Sequence, residues 1–112
     1  GVGDVFLKWL LRNAGNPGRV HAVSLNETAE NAFANFPDQD LQSRFDPPDR
    51  KFAAVANAHP GKPPIWQAAD SKWLAWWVEL AKYGVSVEFL CPVDAQRFYK
   101  NKFPAQPVPP LP

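Results

Sequence analysis

With one cysteine, Cys91, in 112 residues, the chain cannot form an internal disulfide or a Cys-rich zinc site, and it suits a reducing compartment, so a cytoplasmic protein is expected. No run of about 18 apolar residues is present to span a bilayer. Residues 1–11 also lack the charged-then-apolar order of a signal peptide, so neither a membrane partner nor export is expected. Charge of one sign is not in excess: 12 Lys plus Arg stand against 11 Asp plus Glu. That balance excludes a polyanion-attracting surface of histone type and leaves room only for local nucleic-acid contacts. A phosphate-cradling glycine loop is missing, since Gly1-Val-Gly3 is too short a signal. His21 and His59 have no metal-ligand spacing, and no Ser or Cys has a neighbouring base in sequence. There is no initiating Met and no internal repeat, and the chain starts almost directly on a helical pattern, so a fragment of a longer protein is expected.

What is present fits one domain, because 112 residues at 46% hydrophobic content can bury one core but not two. We assign residues 1–103 to that domain and 104–112 to a proline-rich tail. In residues 4–13, Phe6, Leu7, Leu10 and Leu11 recur at helical spacing and predict an amphipathic helix. Residues 19–25 read as a short strand. Residues 27–36 read as a helix capped by Asn26, followed by a loop that includes Leu41 to Phe45. Asp46-Pro-Pro-Asp49 is helix-starting chemistry ahead of Phe52, Val55 and Ala56, a helical face that should end near His59-Pro60-Gly61. Residues 65–69 read as a buried strand. Asp70-Ser-Lys72 then caps a helix with Trp73, Trp77 and Leu80 along one side, and Gly84 stops it. Residues 85–90 read as a second strand, with connections short enough for a parallel crossover. A short helix over residues 94–100 precedes the tail. The expected class is α/β, a small central parallel sheet flanked by helices.

Two aspartates stand where chemistry is expected. Asp70 follows an apolar strand directly, at the end where open α/β sheets bind ligands, and Asp49 stands at the start of the preceding helix. Clustered carboxylates need a compensating cation or basic side chain, and Mg²⁺ or Mn²⁺ is the usual hard-cation solution. Helix capping accounts for the same aspartates and does not exclude metal binding. Among the tryptophans, Trp73 and Trp77 are expected in the core and Trp76 on an exposed face, open to a partner or a dimer mate. Cys91 is expected to be a small buried residue at a strand end. The tail suits either an unattached end or a polyproline II ligand.

Asp49-Arg-Lys-Phe-Ala-Ala-Val-Ala56, followed by Pro64-Ile-Trp-Gln-Ala-Ala-Asp70-Ser-Lys-Trp73, resembles the second half of a PIN domain, the resemblance covering residues 46–92. In that family one Asp opens a helix and a second ends a buried strand, with an aromatic residue three positions on. Ala68 stands where Thr or Ser is common, and Lys72 where a further Asp is frequent. The resemblance also implies an opening strand that carries an acid, for which this chain has no counterpart. A middle acid has Asp4, Glu27 and Glu30 as candidates.

The resemblance implies an endoribonuclease that uses Mg²⁺ or Mn²⁺ to hydrolyse single-stranded RNA, often the toxin of a toxin–antitoxin pair held inactive by a protein partner. Asp49 and Asp70 would be catalytic, and Asp4, Asp49 and Asp70 would hold the metal. Arg50, Lys51 and Lys72 would meet phosphates. A homodimer is a further expected partner state. The competing expectation is a catalytically silent α/β interaction module.

Overall fold

The computed structural model describes residues 1–112 as an α/β fold with five α-helices, one two-stranded parallel sheet and one two-stranded antiparallel sheet. No helix is long and apolar enough to cross a membrane. The strand–helix–strand pattern is present: β3 (Ile65–Gln67), α4 (Trp73–Ala81) and β4 (Val87–Phe89) form a parallel βαβ unit, with Ile65 opposite Val87 and Gln67 opposite Phe89. The Ile65 N–H donates to the Ser86 carbonyl at 2.9 Å and the Leu90 N–H to the Gln67 carbonyl at 2.8 Å. Gly84 ends α4 in the left-handed region at φ +79°, where a Cβ would be strained.

Ahead of this unit, a 3₁₀ turn (Pro47–Asp49) leads into α3 (Arg50–Ala58), which the sequence places correctly but rotates wrongly. The buried face is Ala53, Ala54 and Ala56, not Phe52, which is 55% exposed. The small alanines let α3 lie close to the sheet, while Phe52 and Val55 turn toward an open groove beside Pro63 to Trp66. α5 (Pro92–Lys102) starts on a proline, whose missing N–H has no partner to lose in a first turn.

Between residues 19 and 45 the sequence expectations fail. Residues 19–25 form no strand. His21 instead stacks on His59, with ring centroids 5.2 Å apart and His21 Nδ1 3.0 Å from His59 Nε2. Because the Gly61 N–H donates to His59 Nδ1 at 2.9 Å, His59 must donate through Nε2 and His21 must accept. The expected helix over 27–36 is a hairpin, β1 (Glu27–Ala29) and β2 (Ala32–Phe33), closed by Asn31 at φ 54°. Buried Gln42 imposes it from outside: its side chain accepts the Phe33 N–H at 2.9 Å and donates to the Phe33 carbonyl at 3.3 Å. The expected loop over 41–45 is mostly α2 (Gln39–Arg44), capped by Asp38, whose side chain accepts the Leu41 N–H.

One apolar core joins Phe36, Leu41, Phe45, Ala53, Ala56, Ile65, Trp73, Leu80, Val85 and Val87. On the other side of α4, Leu74 packs with Ala95 and Tyr99 of α5. Trp73 is fully buried as expected, but Trp77 is only half-buried. Trp76 is not the exposed residue: it stacks on Phe45 at 4.0 Å between centroids, because Phe45 reaches across from the end of α2. The exposed tryptophans are Trp66 and Trp9. Cys91 is exposed too, since it precedes α5 at its N-cap instead of ending inside a strand. α1 (Val2–Asn13) forms as predicted and buries none of its residues.

Candidate functional site

Asp46 and Asp49 bracket the proline turn three positions apart, and at three residues per 3₁₀ turn their side chains emerge on one side. Twenty-one residues later Asp70 ends the segment that follows β3. Its Oδ1 accepts the Lys72 N–H at 3.2 Å and its carbonyl the Trp73 N–H at 3.3 Å, so it orders the first turn of α4. That turn aims Lys72 back at the proline turn. Its Nζ donates to Asp46 Oδ2 and, at 3.2 Å, to Asp49 Oδ2.

The result is two carboxylates, Asp46 and Asp49, on one ammonium, with the charge of Asp70 nearby but not in contact with it. Asp49 is the most sheltered, its side chain 17% exposed, while Lys72 keeps 26% and Asp46 49%. Hydrogen bonding to Asp46 pushes the Lys72 pKa up, burial works against it, and the Asp49 hydrogen bond and the charges of Asp70 and Asp49 push it further up. The net direction is well above the ordinary lysine value, so Lys72 is a fixed cation at every physiological pH. It also lies 5.8 Å from the Trp76 ring centroid. The cluster opens on a pocket of about 280 Å³ walled by Asp46, Lys72, Trp76, Tyr99, Phe103 and Gln106.

The sequence-derived residues divide accordingly. Asp49 and Asp70 share one neighbourhood, and Lys72 joins them, though as their counter-ion instead of a free phosphate contact. Asp4 does not join them: its carboxylate pairs with the Gly1 amine at 2.9 Å on a helix that buries nothing. Glu27 accepts the Asn31 N–H inside the hairpin. Arg50 is committed to structure, donating to the Phe45 carbonyl at 3.1 Å and the Asn31 carbonyl at 3.2 Å. Lys51 is exposed and lines the groove with Phe52 and Trp66. From sequence alone Asp46 reads only as a helix starter. Its repetition three residues before Asp49, across Pro-Pro, was the available signal.

The donor set has the chemistry a hard divalent cation needs, and the Lys72 ammonium holds the position such a cation would neutralise. As placed, however, no three acidic, His or Cys side chains converge closely enough to hold a metal ion. Comparison with protein-family models, with curated proteins and with solved structures gives no significant match.

Proposed function

We propose that this chain is a PIN-like domain whose Asp46–Asp49–Asp70 cluster serves metal-dependent hydrolysis of single-stranded RNA, with Lys72 as an internal counter-ion that a divalent cation displaces. The observation that carries the reading is the pairing of Asp46 and Asp49 with one ammonium next to Asp70, which follows a strand, beside an aromatic-walled pocket. Asp49, Asp70 and Asp46 would hold Mg²⁺ or Mn²⁺, and the ion would supply acidity to water and neutralise charge developing on a phosphodiester. Lys72, released from its carboxylates, is then free to pair with a phosphate within the same pocket. Trp76, which walls the pocket and is only partly buried, is the ring on which an unpaired base would stack. Lys51 adds a phosphate contact from α3. By resemblance, the biological setting is a toxin restrained by an inhibitory protein.

A second reading rests on a specific observation: Lys72 already neutralises Asp46 and Asp49, and no three donors converge. On that reading the domain is a catalytically silent interaction module, and the cluster is a structural ion-pair network. Asp70→Asn decides between them, because Asn accepts the Lys72 N–H about as well as Asp does and keeps the start of α4. Under the nuclease reading, Mn²⁺-dependent cleavage of single-stranded RNA falls at least a hundredfold while circular dichroism is unchanged. Absence of cleavage in the parent chain leaves the silent module, and a rate indifferent to the substitution removes Asp70 from the mechanism.

A further inference from the structure

The tail is bound to the domain, and what binds it is a groove of recognisable chemistry. Pro107, Pro109, Pro110 and Pro112 each fix their own φ near −65° and push the preceding residue to extended conformations, so residues 106–112 are pre-set for a polyproline II path. The segment 107–112 forms neither helix nor strand. Yet the Trp77 indole N–H donates to the Pro110 carbonyl at 3.0 Å, and the Tyr99 hydroxyl donates to Gln106 Oε1 at 3.0 Å. Beyond that point Leu111 and Pro112 share a groove of about 450 Å³ with Val87, Glu88, Phe89 and Pro92.

A half-buried indole that donates to a carbonyl inside a proline run, beside a groove that the aliphatic residue between prolines helps to wall, is the chemistry of polyproline recognition. The proline run loses little entropy on binding because it is already extended. Since proline has no N–H, the tail also covers β4 without adding to its ladder.

We propose that the face formed by Trp77 of α4 and Val87–Phe89 of β4 is a polyproline-binding groove. Its ligand class is an extended peptide of Val-Pro-Pro-Leu-Pro type, and the chain's own tail occupies it in cis. A partner's proline-rich segment enters only by displacing that tail. Its prolines take the positions of Pro109 and Pro110, and its aliphatic residue that of Leu111. Glu88 borders the groove through its place between Val87 and Phe89, while its carboxylate accepts from Trp66 Nε1 at 2.9 Å. The Asp46–Lys72 pocket shares none of the residues lining this groove, though Tyr99 and Gln106, which tether the start of the tail, wall that pocket; the proposal does not rest on the nuclease reading.

The test uses the full chain with Leu111→Asp, which places a charge against Val87 and Phe89 and weakens the cis contact. Into this variant a synthetic peptide of residues 105–112 is titrated, alongside a peptide with every proline replaced by alanine, while the Trp77 indole N–H resonance is followed. A tethered tail presents itself at an effective concentration of order millimolar. The unsubstituted chain should therefore resist the same peptide. The expected result is a shifted Trp77 indole in Leu111→Asp, restored on saturation by the proline peptide and not by the alanine peptide. Trp77→Phe in the same background, with peptide binding read by calorimetry, should weaken binding at least fivefold. An indole resonance that Leu111→Asp leaves in place, or equal binding of the two peptides, would overturn the proposal even if Trp77→Phe failed to fold.

Discussion

The Lys72 ammonium decides what the acidic cluster is worth to the fold. Its pKa is raised in the native state, chiefly by the Asp46 hydrogen bond, so its stabilising contribution is complete below the ordinary lysine value of 10.5 and is lost as pH climbs through the higher native value. Lys72→Met should therefore cost about 1 kcal/mol, equally at pH 7 and pH 9, with the difference from the parent shrinking only above pH ~10.5. Urea unfolding at three pH values checks this; a difference that falls between pH 7 and 9 would show that the ammonium is not held by these carboxylates. Trp73 carries a separate burden. It is fully buried at the junction of Phe45 and Trp76, and its indole Nε1 has no hydrogen-bond partner. Trp73→Ala should cost roughly 3–5 kcal/mol in urea unfolding through the cavity it leaves. Trp77→Ala should cost less, because that ring is only half-buried, packing on the edge of the core and hydrogen-bonding the tail. Equal losses would contradict this placement.

At the scale of elements, stability is unevenly spread. α1 is a 12-residue helix with no buried residue, and helices of that length are marginal in water without a packed face. Its amides should exchange fastest among the helices, and trypsin should cut at Lys8 and Arg12 before it cuts at Lys51 in α3. Protection of α1 comparable to that of α4 would mean that its apolar side is covered. The same contrast explains what the sequence revealed. α3, β3, α4, β4 and α5 were legible because proline, aspartate and Gly84 punctuate them locally. The hairpin at 27–33 was not, since Gln42 shapes it from outside the segment. Asp49 and Asp70 were legible by their places at element boundaries, whereas the pairing of Lys72 with Asp46 spans 26 residues and leaves no local trace. The His21–His59 stack, 38 residues apart, was hidden for the same reason.

The whole molecule exposes more surface than its mass requires. Its accessible area is 7358 Å², whereas a folded monomer of 12.5 kDa is expected to show roughly 6,200 Å². Its radius of gyration, 15.2 Å, exceeds the ~13 Å of a well-packed domain of this length. The unburied α1, with Val5, Phe6 and Leu11 in water, accounts for part of that excess, and Trp66 on β3 with Phe52 on α3 for another. The acidic cluster lies on the better-packed part, between the start of α3 and the start of α4, where both helix starts are fixed by local hydrogen bonds.

A cluster so held should respond to cations as a unit, and calorimetric titration of Mn²⁺ into the parent chain and into Lys72→Ala reads that response directly. With Lys72 as an internal counter-ion over a metal-competent set of carboxylates, Mn²⁺ binds saturably to the parent and at least tenfold more tightly to Lys72→Ala, and Asp49→Asn abolishes binding in both. No saturable binding in Lys72→Ala, in a chain that still folds, would contradict the account and make Asp46, Asp49 and Asp70 structural partners of a lysine.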